Sequence, residues 1–152
     1  LADFTQFFSR CQDELVSPDD FDAYVHRQEE SFRHQRDELD ADLRARWAEN
    51  LELDRELARV YRTSDQLLRQ GNYCTFGMLL LETVTQLRAN AALRERLQAE
   101  YRYFLVDEFQ DTNIAQIELL WQLAGSHRNV MAVGDNDQAI YRFRGASYAS
   151  FD

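Results

Sequence analysis

Two short apolar runs flanking an amphipathic helical pattern, preceded by a long helix-like segment, predict an α/β fold that is predominantly helical. The runs Tyr103–Val106 and Val130–Val133 each stop abruptly at acidic and amide residues. Neither alternates polar with apolar, so each reads as a strand buried on both faces, as in a parallel sheet. Between them Ile114, Ile117, Leu120, Trp121 and Ala124 recur at helical spacing. Asn113 with Gln116 three residues on reads as a capping box, and Gly125 suits the helix end. Such a strand–helix–strand unit has parallel strands and a right-handed crossover. Parallel strands bring their C-terminal ends to one sheet edge, where open α/β sheets bind ligands. Asp107-Glu108 and the stretch from Gly134-Asp135 to Gln138 are therefore expected to converge there.

Upstream the reading is helical throughout. Leu1 to Val16 is expected as a helix, with Phe4, Phe7, Phe8, Cys11 and Leu15 along one face. Ser17-Pro18-Asp19-Asp20 is a restart signal: a Ser cap, Pro at the first helical position and acids in the first turn. No Gly or Pro interrupts Asp19 to Gln70, which predicts one or two extended helices with a hinge near Arg46–Asn50. The charged tract Glu29–Arg46 mixes both signs and reads as a solvated helical face. Gly71-Asn72 ends this segment, and Thr75 caps a helix whose apolar face carries Phe76, Leu79, Leu80, Val84 and Leu87. A shorter helix, Ala91–Ala99, leads into the first strand. After the second strand a tight polar loop, Gly134 to Asp137, precedes Ile140–Gly145, and Ser147 opens another helical pattern.

Composition narrows the function. The 152 residues are 45% hydrophobic, enough for a domain-sized core. A net charge of −10 argues against a free-standing, electrostatically driven nucleic-acid binder. All 17 basic residues are Arg, so this chain cannot supply the Lys of a phosphate-binding loop. No apolar run is long enough to span a membrane and no signal peptide is evident, which makes a cytoplasmic protein the expectation. Cys11 and Cys74 lack CxxC spacing and read as ordinary reduced thiols, while His26, His34 and His127 lack ligand spacing and read as surface residues.

A carboxylate pair closing a buried strand suits magnesium–nucleotide chemistry. Asp107 can hold hydrated magnesium, a hard cation that favours oxygen ligands. Glu108 can orient or deprotonate the water that attacks a γ-phosphate, and Gln138 can sense that phosphate. A lone acidic pair at a strand exit is commonly just solvated. The constellation DEFQDTN, GDNDQ and YRFRGA is far more specific. Aromatics interleaved with Arg at Tyr141, Phe143 and Arg144 offer a base-stacking platform with phosphate contacts, or else fold back into the core.

With these residues the chain resembles the UvrD/Rep family of superfamily 1 DNA helicases. VDEFQDTN looks like that family's Walker B motif, and VGDNDQAIYRFRGA like its next motif. The resemblance implies Asp107 as the magnesium residue, Glu108 as the catalytic base and Gln138 as the residue coupling γ-phosphate to the DNA site. It places Tyr141, Phe143 and Arg144 where the family contacts single-stranded DNA. FSRCQDELVSPDDF is similar to the family's "SxxKNxLxSP" segment, with Gln12-Asp13 in place of Lys-Asn, and TFGMLLL is similar to "DFDDLL" without its acids.

The implied architecture is a helical insertion subdomain (1–100) and part of a RecA-like P-loop NTPase motor domain with parallel strands (101–152). The implied parent is an ATP-dependent DNA helicase that translocates on single-stranded DNA and unwinds duplex, in repair or recombination. Its cofactors would be Mg2+ and ATP, both requiring a P-loop from elsewhere in the helicase chain. By itself the chain is expected to be an inactive fragment that self-associates through orphan strand edges. The rival reading is a non-catalytic, helicase-derived binding or scaffold module, and a nuclease-fused relative is a third.

Overall fold

The computed structural model describes residues 2–135. Their packing forms two compact units, one comprising the chain up to Phe8 with Val16–Cys74, the other Ser9–Leu15 with the chain from Thr75 onward. This division comes at Cys74, whereas the helical pattern by itself runs on to residue 100.

In the first unit, helix α1 (Ala2–Asp13) contributes Phe7 and Phe8. It is followed by α2 (Pro18–Gln35) and α3 (Ala41–Gln70). The α1 helix ends three residues before the expected Val16, and Leu15 turns the chain with φ 60°. Ser17 then caps α2 as the sequence predicts: its hydroxyl accepts the Asp20 N–H at 3.1 Å, and the Asp20 carboxylate accepts the Ser17 N–H at 3.0 Å. The break between the long helices lies at Arg36–Asp40 rather than near Arg46–Asn50, which is continuous helix. Asp40 makes the break by capping α3, its carboxylate accepting the Leu43 N–H at 2.8 Å.

The partners of α2 and α3 run in opposite order, so the two helices form an antiparallel hairpin. Asp19 and Asp22 pair with Arg62, Glu29 with Arg55, and Phe32 packs on Trp47. The buried seam holds Phe21, Val25, Leu51, Ala58 and Tyr61. Tyr61 stacks on Phe8 with ring centroids 4.8 Å apart and donates its hydroxyl to the Val16 carbonyl at 3.0 Å. The mixed-sign tract is a solvated face, as expected. At its start Glu29 meets Arg55, which lies beyond the tract on α3, at 2.5 Å, and this hydrogen bond holds the Glu29 carboxyl below its usual range.

In the second unit, α4 (Phe76–Ala89) and α5 (Ala91–Glu100) pack with α6 (Ile114–Ala124). Thr75 and Asn90 cap the first two helices, and Asn113 with Gln116 forms the expected capping box on α6. Strands β1 (Phe104–Val106) and β2 (Val130–Ala132) pair in parallel, with Phe104 opposite Val130 and Val106 opposite Ala132.

Three expectations are corrected here. The strands are not buried on both faces: Leu105 is 81% exposed and Met131 59%, because no described element covers that row. On α6 Ala124 of the expected stripe is buried, together with Ala115, but Ile114 and Trp121 of that stripe are 43% and 50% exposed. The α4 and α5 helices pack on α6, with Arg88–Glu118 (2.9 Å) linking α4 to it and the Gln98 amide donating to the Gln122 carbonyl (2.7 Å) linking α5. Finally, His127 is half-buried, parallel to the Phe104 ring, with its Nδ1 accepting the Asn129 N–H.

The end of α1 is pinned to this unit through side chains. Gln12 is buried and its carbonyl accepts the Thr75 hydroxyl at 2.9 Å. A Cβ at Gly77 would lie 2.7 Å from that of Gln12, so the glycine in TFGMLLL makes room for this tie. Asp13 accepts the Asn113 amide at 2.7 Å. The Gln12-Asp13 pair therefore has a packing role. Cys11 is buried beside them, and burial, with Glu14 adding to it, pushes its thiol up to about 11. Among the described residues no helix is long and apolar enough to cross a membrane.

Candidate functional site

The site grows from the way β1 ends. Asp107 leaves the strand, and its Oδ1 accepts the N–H of Glu108 at 3.0 Å. Glu108 takes a left-handed backbone, φ 51° and ψ 44°, and a 3-10 turn (Phe109–Asp111) follows. A non-glycine residue in this region costs roughly 1–3 kcal/mol unless its surroundings enforce it, and such positions cluster at functional sites. The enforcing contacts come from the other strand.

The Val133 N–H donates to the Val106 carbonyl at 2.8 Å, and the Phe109 N–H donates back to the Val133 carbonyl at 3.0 Å. The pairing thus continues past both strands and joins the two loops. Asp107-Glu108 and Gly134-Asp135 lie on the same sheet edge, as the parallel arrangement predicts.

One residue that sequence reasoning passed over completes the join. Gln110 is 4% exposed, and both ends of its amide are used. Its Nε2 donates to Glu108 Oε2 at 2.5 Å, and its Oε1 accepts the Asp135 N–H at 2.9 Å. Gly134 is required beside it: a Cβ there would run into the Gln110 carbonyl and lie 3.1 Å from the Phe109 nitrogen. The available signal was this combination, a glutamine between two acids and a glycine straight after the partner strand.

Both carboxylates of the pair are exposed, and they border an open cleft of about 920 Å3 lined also by Val106, Thr112, Ile117 and Leu120. Its size is that of a small-molecule site. Asp107 offers hard oxygen donors suited to a hydrated divalent cation, which needs only one or two carboxylates and keeps several waters. Among the described residues no cluster of three or more His, Cys, Asp or Glu could cage a metal. Gln138, Tyr141, Phe143 and Arg144 lie outside the described residues.

With this geometry in place, comparison with known proteins gives a consistent result. The sequence pattern of the UvrD/REP helicase N-terminal domain family matches residues 2–152. The chain belongs to this family. Among curated members of the UvrD/REP type, it is 44% identical to the ATP-dependent DNA helicase Rep of Escherichia coli over 95 residues, 62% of this chain and 14% of that protein. It is 42% identical to DNA helicase II of Rickettsia typhi over 97 residues, 64% of this chain and 15% of the relative. The Rep helicase of Buchnera aphidicola aligns over 99% of this chain at 31% identity, across 23% of its own length. The chain thus spans less than a quarter of each of these relatives.

Proposed function

We propose that this chain supplies the acidic part of the ATP-hydrolysing site of a cytoplasmic DNA helicase. Residues 101–152 would belong to a RecA-like motor domain and residues 1–100 to a helical insertion. VDEFQDTN would act as Walker B and VGDNDQAIYRFRGA as the motif after it. The observation that carries this reading is the joined sheet edge, where Asp107-Glu108 and Gly134-Asp135 are held together by backbone and Gln110 hydrogen bonds.

In this mechanism Asp107 would hold a hydrated Mg2+, and the cation would supply neutralisation of phosphate charge. Glu108 orients a water and takes its proton as the water oxygen bonds to the γ-phosphorus and the bond to the β-phosphate oxygen breaks. Gln138 couples the γ-phosphate to the DNA site, while Tyr141, Phe143 and Arg144 hold single-stranded DNA by stacking and phosphate contact. The phosphate cradle and its Lys must come from other residues, since none of these 152 is Lys.

A chimera tests the proposal: residues 2–152 replace the matching stretch of the Buchnera aphidicola Rep relative. The folded chimera is expected to hydrolyse Mg-ATP faster with single-stranded DNA present, and Asp107→Asn to abolish that turnover. A folded chimera without ATPase activity would favour the non-catalytic module, and full turnover by Asp107→Asn would remove the assigned metal residue.

A further inference from the structure

We infer that Gln110 is a positioning residue that couples the orientation of the Glu108 carboxylate to the backbone of the Gly134–Asp135 loop. The inference rests on the proposed role of Glu108 and adds to it a specific mechanical link. Glu108 is exposed and sits on a left-handed backbone, so nothing about its own solvation selects one carboxylate orientation. Gln110 makes that selection. It is buried, so its amide cannot exchange partners with bulk water at little cost, and a buried amide left unbonded is expensive.

The two ends of that amide act in opposite senses. The NH2 end donates to Glu108 Oε2 at 2.5 Å, and the carbonyl end accepts the Asp135 N–H at 2.9 Å. Because an amide is rigid and planar, a shift of the 134–135 backbone moves the carbonyl end, and the NH2 end moves with it. The spacing is constrained from behind as well. The Phe109 N–H is bonded to the Val133 carbonyl at 3.0 Å, and Gly134 leaves only enough room for the Gln110 side chain. The loop after β2 leads in sequence to Gln138, three residues beyond Asp135. Gln110 is thus a side-chain route by which a displacement of that loop reaches the base.

Two substitutions separate the two ends. Gln110→Met removes both bonds at similar volume. Gln110→Glu keeps an acceptor for the Asp135 N–H but replaces the donor to Glu108 with a like charge. In this chain, amide hydrogen exchange at Asp135 is expected to accelerate in Gln110→Met and to stay near the parent value in Gln110→Glu. In the Rep chimera both variants are expected to lower kcat for ATP by about 10- to 100-fold, the scale of a misplaced catalytic group, with KM for ATP within about twofold.

A purely structural role would instead make kcat follow Asp135 protection, leaving Gln110→Glu active, and that result overturns the inference. Parent-like kcat in Gln110→Met also overturns it. Glu108→Gln in the same chimera separates the two readings. If that variant is inactive while Gln110→Met is fully active, the base assignment stands and only the coupling fails. If Glu108→Gln is itself fully active, the base assignment fails.

Discussion

Asn113→Ala should loosen the start of α6 by an amount that can be worked out from its bonds. The Asn113 side chain accepts the Gln116 N–H at 2.9 Å, and the Gln116 side chain returns a bond to the Asn113 N–H at 3.0 Å. Losing an Asn cap to Ala costs about 1 kcal/mol. The same side chain donates to the Asp13 carboxylate at 2.7 Å from a residue only 4% exposed. A hydrogen bond to a charged group is worth about 1.5–3 kcal/mol, and the half-buried Asp13 places this one at the low end. The sum is about 2.5 kcal/mol, which corresponds to roughly 60-fold faster opening-limited exchange of the α6 amides. Asn113→Ser keeps the cap and loses only the Asp13 bond, so it should retain about 1 kcal/mol of the difference. Hydrogen exchange across residues 114–124 reads both variants. Equal exchange in Asn113→Ala and the parent, or no gap between Ala and Ser, would refute the division into cap and tether.

Three further outcomes are expected. Glu29 has a carboxyl lowered by its hydrogen bond to Arg55, so its stabilising contribution is present above the ordinary carboxylate range and lost as pH falls through the lowered value. Acid unfolding of the α2–α3 hairpin, followed by circular dichroism, should therefore begin at higher pH in Glu29→Gln, and an unchanged acid limb would count against the pair. Of the two thiols, exposed Cys74 should react with a maleimide at neutral pH while buried Cys11, raised to about 11, should react only on unfolding. Equal labelling of both would contradict the burial. Phe143→Ala in the Rep chimera should weaken single-stranded DNA binding by roughly 1–3 kcal/mol, and unchanged affinity would remove that residue from the proposed DNA contact.

What the sequence made legible was local chemistry. The caps at Ser17, Thr75 and Asn113 form because each places an oxygen next to unpaired helix N–H groups, a rule that needs only neighbours. The parallel pairing of β1 with β2 followed from unalternating apolar runs around a helix. The break at Arg36–Asp40 was not legible, because no Gly or Pro marks it and a single Asp makes it. Burial of Leu105 and Met131 was read from apolarity, but apolarity records what a residue favours, while exposure depends on what stands opposite. On α6 the burial of Ala124 was legible, but the exposure of Ile114 and Trp121 was not, because helical spacing does not say which edge of an apolar stripe another element covers. Of the site, the acid pair and its convergence with Gly134-Asp135 were legible, since strand polarity alone brings them together. The Gln110 bridge was not, because it needs the third dimension: one amide spanning two loops 25 residues apart in sequence.

Nucleotide binding and phosphate release by the Rep chimera carrying Glu108→Gln bear most closely on the role of this acidic pair. Glutamine keeps the shape of the side chain and a hydrogen-bonding group but cannot take the proton from water. ATP affinity should stay near that of the parent chimera while turnover falls by roughly 10²–10⁴, the usual contribution of a general base. Parent-like phosphate release from Glu108→Gln would contradict that role.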